Sequence, residues 1–307
     1  MKALMAVVQP PYAHRPYDGS TRPFTVGLTP ISEPEWLEPD ANLVPHLRRK
    51  DELLAIDRAA VVRTEDGTED AQDEVLQLVL QALRGMHGGC YQVGQEEVII
   101  DGQVSVPLAG ADPMVTAARL IQEDLVLMRP APGGYRLVAA CLCFPSSWSL
   151  AEKFGQSMPE IHENVPGFNG SRMGNVVARL FDNLRVGQLV CRYNWSIYDD
   201  ANLHHPKPKQ IAPQVSADGE SLVGRLFLRV ERQTLRRLAG SGDILFTIKI
   251  HHDPLSLLRS QPDRAGIAAG LKQQLLALEP AQLIYKGLTQ HQQALAAELD
   301  RLSDLET

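Results

Sequence analysis

His162 stands on a short segment broken at both ends, since Gly155 precedes it and Val165, Pro166 and Gly167 follow. An imidazole on so brief a platform can ligate a metal through one ring nitrogen while a nearby carbonyl fixes the other. A half-buried histidine satisfied by one core hydrogen bond is the plainer alternative. Two further groups of polar residues fall in strand-like runs. In RYNWSI, alternation puts Arg192, Asn194 and Ser196 on one face and Tyr193, Trp195 and Ile197 on the other. In RLFLRVER, Arg225, Arg229 and Glu231 share a face opposite Leu226, Leu228, Val230 and Arg232. Reaching into an apolar cavity, such groups would orient a small ligand: an arginine pairs an anionic group, and a carboxylate holds an alkylammonium. The competing readings are a surface-paired arginine beside an edge asparagine, and a same-face ladder of ion pairs worth little.

These side chains need strands and short helices to hold them. Val138, Ala140, Leu142 and Phe144 alternate with Ala139, Cys141 and Cys143, nearly all apolar, as expected of a strand covered on both faces and ended by Pro145. Ala131-Pro132-Gly133-Gly134 joins it to LVLMRP as a hairpin. Ser149 with Glu152 is a capping box, so a helix of barely two turns begins at Leu150, and Gly155 suits its left-handed stop. A second helical turn starts near Pro159. Met173 to Leu184 has helical spacing closed by Gly187, and three strands are expected over approximately 188–199, 222–232 and 244–252.

The flanks read as scaffold. Residues 1–40 are proline-rich and form an extended arm that Trp36 pins to the surface. A helix follows from Ala41, irregular at Pro45; Asp66-Gly67 is a turn; Thr68 opens an acidic first turn of a helix reaching Arg84, stopped by Gly88-Gly89. EVIIDGQVSVP is a hairpin on a type I′ Asp101-Gly102 turn, with a short helix from Asp112 through Ile121 after it. Residues 203–221 form a polar, exposed connection. Ala265 to Leu278 and Gln290 to Leu302 are amphipathic helices that cap the sheet or dimerise. The expected division is an N-terminal part over 1–115, a core over 116–258 and C-terminal helices over 259–307.

At 307 residues the chain can bury a sizeable core. A net charge of −7 without a dense basic patch argues against nucleic acid and anionic membrane surfaces. The start MKALMAVVQPPY is too short and too soon broken for a leader, and no run approaches a membrane span, so a cytoplasmic protein is expected. Cys90, Cys141, Cys143 and Cys191 match no zinc or ferredoxin spacing and read as core filler in a reducing compartment. The absence of G-x-G-x-x-G after a strand and of G-x-x-x-x-G-K argues against dinucleotide and nucleotide binding by those routes. The other histidines fall at loop or strand ends (His204, His205, His251, His252) or in peripheral segments (His14, His46, His87, His291).

The runs FPSSW (144–148), EK (152–153) and IHENVPG (161–167), with RYNWSI, RVERQTLRRL and GDILFTIKIHHDPL, resemble the haem-dependent oxidative N-demethylase-like proteins. The resemblance reaches RPFTVGLTPI (22–31) and QEDLVLM (122–128), and so most of the chain. It implies an α+β fold: a PAS-like antiparallel five-stranded sheet with a short-helix cluster around a haem pocket, flanked by N- and C-terminal helices. It implies haem b with His162 as axial ligand, Arg225 and Arg229 toward the haem propionates, and Arg192, Asn194 and Glu231 around oxygen and substrate. The implied reaction is oxygen-consuming demethylation of a small methylated amine with release of formaldehyde. Electrons would come from a separate reductase carrying NADPH, FMN and [2Fe–2S], and a folate-binding subunit would take the formaldehyde. Two other readings use the same fold: a haem-PAS gas sensor, against which no output domain is evident, and a haem-free binding or assembly protein with the C-terminal helices as interface.

Overall fold

Prolines and short polar runs keep the first segment out of regular structure. In the computed structural model, which describes residues 11–86, 89–209, 211 and 222–304, the arm contains only β1 (Thr29–Pro30) and a 3-10 turn at Glu33–Glu35. Trp36 pins it as expected, buried with the Arg236 guanidinium 4.5 Å from its ring centre. Then come α1 (Leu43–Ile56), with Pro45 in the first turn where no N–H is missed, α2 (Arg58–Val61), β2 (Val62–Thr64) and α3 (Glu69–Met86). His87 and Gly88 lie outside the described residues, as do residues 1–10 and most of the 203–221 connection. A small sheet holds β3 (Tyr91–Val93), β4 (Glu97–Ile100) and β5 (Val104–Pro107). Asp101 and Gly102 have φ of 49° and 65°, the paired left-handed conformation of a type I′ turn. The expected hairpin is there, and β3 adds a strand to it.

After α4 (Pro113–Leu120), β6 (Asp124–Ala131) and β7 (Gly134–Cys141) form the second hairpin. Next are α5 (Leu150–Lys153), α6 (Met158–Ile161), α7 (Arg172–Asn183), β8 (Leu189–Tyr198), α8 (Leu222–Arg225), β9 (Phe227–Arg237) and β10 (Ile244–Pro254). A 3-10 turn at Leu255–Ser260 leads to α9 (Arg264–Leu276), α10 (Pro280–Tyr285) and α11 (Gln292–Asp304). The large sheet runs β1-β8-β9-β10-β6-β7-β2, with every pairing antiparallel. The fold is therefore α+β as expected, but the sheet has seven strands, not five. β1 adds to Val190–Cys191 and β2 to Ala139–Cys141. Runs of two or three residues carry no readable alternation.

Three boundaries differ from the expected ones for physical reasons. β7 stops at Cys141, because the Asp124 carboxylate accepts from the backbone N–H of Cys143 (3.0 Å) and Phe144 (2.7 Å) and turns the chain out of the ladder before Pro145. α5 is a single turn, although its Ser149–Glu152 capping box is in place and Gly155 follows at φ +78°. Residues 222–225 are helical, since Glu298 accepts from the N–H groups of Leu222 (2.8 Å) and Val223 (2.9 Å) and caps the turn. The strand starts only at Phe227, opposite Pro254. Arg225 therefore leaves the face it was expected to share with Arg229 and Glu231.

The core forms two clusters. One binds α1, α3 and α4 to β6 and β7 through residues such as Leu47, Val79, Met114, Leu127 and Ala139. The other joins Trp195, Ile197, Leu228 and Val230 to Leu271, Leu275, Leu295 and Leu299, so the C-terminal helices cap the sheet. Gly270 allows the arm to cross α9, since a Cβ there would lie 2.8 Å from Asp18 Cα and 2.9 Å from Tyr17 O. Among the described residues no helix is long and apolar enough to cross a membrane.

Candidate functional site

α6 is one turn long for local reasons. Ser157 and Glu160 form a capping box, with the Glu160 carboxylate accepting from Ser157 N (2.8 Å) and Oγ (2.7 Å), and Pro159 fits the first turn. The helix ends at His162, whose Nδ1 lies 2.9 Å from Met158 O. A carbonyl only accepts, so Nδ1 carries the proton and Nε2 keeps its lone pair. Among the described residues nothing hydrogen-bonds Nε2. Phe168 stacks on the ring at 4.1 Å between centroids and 13° between planes, fixing its orientation. Burial, with the charges of Arg192 and Lys153, pushes the imidazole pKa down and keeps the ring neutral.

The apolar cover around His162 is incomplete. Met173, Val177 and Leu180 on α7 are only half-buried, and Val176 is 40 % exposed. Phe154, Met158, Ile161, Val190 and Phe246 are half-buried as well, each packed against the first core cluster. A helix with one apolar side normally buries that side fully.

The sheet face toward α7 follows from register. Arg192 stands opposite Gln233, Asn194 opposite Glu231, and Ser196 opposite Arg229. Glu231 is 8 % exposed, and its Oε2 accepts from Gln233 Nε2 (2.7 Å) and, at 3.4 Å, from Asn194 Nδ2. Among the described residues no cation forms an ion pair with this carboxylate. The Arg192 Nη2 donates to Thr25 O at 3.4 Å, while its Nε is buried without a partner. Burial lowers its pKa, and the negative charge of Glu231 works against that shift.

Of the residues expected to work together, His162, Arg192, Asn194 and Glu231 come to one side of the sheet, with the charge of Arg192 felt at His162. Arg229 is on that face but fully buried, and its Nη2 donates to Phe144 O (2.8 Å), Pro145 O (3.3 Å) and Leu203 O (3.0 Å) while Nε donates to Ser146 Oγ (2.9 Å). It fastens the FPSSW turn. Arg225 sits on α8, whose neighbours are α11 and the 3-10 turn.

Three of the competing histidines are tied through one ring nitrogen to a carbonyl, as His162 is, and His252 Nδ1 is buried without a partner. His204 Nδ1 lies 2.8 Å from Cys143 O, His205 Nε2 2.7 Å from Asn202 O, and His252 Nε2 2.8 Å from Asp200 O. His46 and His291 are not peripheral: His46 packs on Phe144 and its Nδ1 accepts from Gln122, and His291 is buried. Sequence reasoning missed Gln233 as the carboxylate's partner, and it missed two lysines. Lys286 donates to Trp195 O and is pushed down to about 8, by burial first and against the pull of Glu231. Lys209, expected in an exposed loop, has a buried Nζ 4.3 Å from the Tyr198 ring centre. Their contacts are long-range and leave no local pattern; only their lysine identity beside an aromatic strand was visible.

Residues 27–296 match the family described as haem-dependent oxidative N-demethylase, alpha subunit-like, and the chain belongs to that family. The description implies haem. The donor set fits it: a neutral imidazole with its far nitrogen tied to a carbonyl, an incomplete apolar wall, and a buried arginine nitrogen without a partner.

Proposed function

We propose that this chain is the haem b-binding, catalytic subunit of an oxygen-dependent N-demethylase acting on a small methylated amine, with electrons delivered by a separate reductase. The observation that carries it is His162, neutral, stacked on Phe168 and hydrogen-bonded through Nδ1 alone. The five long strands support a PAS-like core around it, since β6 to β10 in chain order lie second, first, fifth, fourth, third across the sheet.

Bound haem would supply reductive activation of oxygen: with two electrons and two protons, one oxygen atom enters a methyl C–H bond, the other leaves as water, and the carbinolamine falls apart to formaldehyde and the demethylated amine. His162 would ligate the iron through Nε2, with the Met158 carbonyl raising the basicity of the ring. Glu231 is the group for the substrate nitrogen. It is buried and oriented by two amides, with no cation in direct contact, so an alkylammonium gains a charge-assisted hydrogen bond there and can leave its proton on the carboxylate. Asn194 and Gln233 hold that carboxylate in place. The unpartnered Nε of Arg192 offers a donor to oxygen or to a propionate. Arg229 is a positioning residue, because its Nη2 and Nε hold the turn after β7. NADPH, FMN and [2Fe–2S] belong to the reductase in this reading, and a folate-binding subunit is the natural acceptor for formaldehyde.

The test is the absorption spectrum of the purified protein, followed by oxygen uptake with reductase, reductant and a panel of small methylamines. A Soret band and amine-dependent uptake with one formaldehyde per amine are expected. A haem spectrum without amine-dependent uptake overturns the demethylase reading, and absence of haem overturns both.

A further inference from the structure

On the opposite side of the sheet, away from Glu231 and Arg192, three ligating side chains from distant parts of the chain converge. His251 points there because it pairs with Val230, one residue out of phase with the Ile250–Glu231 pair. His14 and Glu38 come from the arm. The ligating atoms of His14, Glu38 and His251 all lie within 4.8 Å of one another. Glu38 Oε2 is 2.9 Å from His14 Nε2 and 3.7 Å from His251 Nε2. Donors around a tetrahedral zinc at about 2.05 Å stand roughly 3.3 Å apart, so these separations bracket the required edge.

A hydrogen-bonded cluster explains the first distance and not the second. His251 Nε2 is buried, its side chain 10 % exposed, and it has no hydrogen-bond partner. Such an atom is normally satisfied by protein, water or metal. Glu38 Oε1 is occupied separately, 3.0 Å from Arg232 Nε, which leaves Oε2 turned toward the two imidazoles. The rings of His14 and His251 meet edge to face at 4.8 Å, and Tyr193 lies 4.7 Å from His14, walling the cluster. Around it stand three carboxylates, Glu38, Asp40 and Asp253, against two cations, Arg232 and Lys249, so the local balance is negative. That favours an added cation.

We propose that His14, Glu38 and His251 form a divalent transition-metal site of the zinc class, with a fourth position for water, that fastens the N-terminal arm to the back of β10. Two imidazoles and one carboxylate suit zinc over magnesium or calcium, which take oxygen ligands. The site is separate from the haem reading, because the intervening sheet divides His251 from Glu231. His14 lies before the segment matched by the family, and Glu38 and His251 lie within it.

The experiment treats the full-length protein as purified with a chelator, then titrates Zn2+ against a competing chromophoric chelator, and Co2+ in parallel for visible d–d bands. One Zn2+ per chain and intense tetrahedral Co2+ bands are expected. His14→Ala and His251→Ala should each lower Zn2+ affinity by about 100-fold or more, with the Soret band and iron content unchanged. Zn2+ should also protect the bonds after Tyr17 and Phe24 from chymotrypsin in the parent and not in His14→Ala. Stoichiometric binding that survives both substitutions, or no binding at all, overturns the proposal. His14 lies on the arm outside the core, so its variant decides the matter even if His251→Ala fails to fold.

Discussion

His162 has one nitrogen committed and one to give, on a ring held flat against Phe168. His162→Gly should lose the haem spectrum while retaining its circular dichroism, and added imidazole should restore a Soret band by entering the vacated space. A band unchanged by the substitution would put the ligand elsewhere. Glu231 is the second test at this scale. Glu231→Gln keeps the amide network but removes the charge, and a hydrogen bond to a charged group is worth about 1.5–3 kcal/mol. KM for the amine should therefore rise roughly 10- to 100-fold, with an unchanged haem spectrum. The positions of both residues were legible in the sequence, His162 between helix breakers and Glu231 by strand alternation, while the role of His162 came from the family resemblance. Gln233 and the depressed Lys286 were not, because their roles arise from a cross-strand partner and from burial between segments far apart in the chain. Arg225 was misplaced because the apolar alternation of RLFLRVER hides a cap supplied by Glu298, over 70 residues away.

At the scale of elements, local chemistry was the reliable signal. The Ser149–Glu152 box and the Asp101-Gly102 turn are set by neighbours within four residues and came out as expected. The end of β7 was not legible, because Pro145 marks where a strand must stop but the Asp124 carboxylate stops it sooner. Arg229 then clamps the turn between β7 and α5. Its guanidinium donates to three carbonyls and a serine while completely buried, so Arg229→Met leaves the acceptors of Phe144, Pro145 and Leu203 without it. Loss of about 3 kcal/mol is expected, read as a lower urea midpoint at constant m-value. Because the same turn leads into α5 and α6, haem affinity should fall with stability. A variant as stable as the parent would show that the turn holds without the clamp.

Across the whole molecule the arm, the sheet and the helix cluster are joined by buried histidines kept neutral. His46 is pushed down to about 4, chiefly by burial, and His252 to about 3, by burial and then the Arg229 charge. Burial lowers His162, His205 and His251 in the same direction. An unfolded histidine titrates near 6.5, so below that pH the unfolded chain binds protons that the folded chain refuses. Stability is thus fully present above about pH 6.5 and is lost as pH falls toward the folded values, with a slope of up to about 1.4 kcal/mol per pH unit for each histidine. The buried acids Asp124 and Asp253, raised by desolvation, pull the other way. Glu38 joins the histidines: burial alone would raise its carboxyl, but His14, His251 and Arg232 together hold it below the usual range, so its share disappears on acidification as well. From roughly pH 7 to pH 5, His46 and His252 together should withdraw about 3 kcal/mol, measured as a fall in the urea midpoint. His252→Asn keeps a donor for Asp200 O without a titrating ring, so its stability should depend on pH less steeply than the parent's. A parent midpoint that stayed flat or rose on acidification would mean that these rings take up protons in the folded state, and the neutral His162 on which haem ligation depends would lose its physical basis.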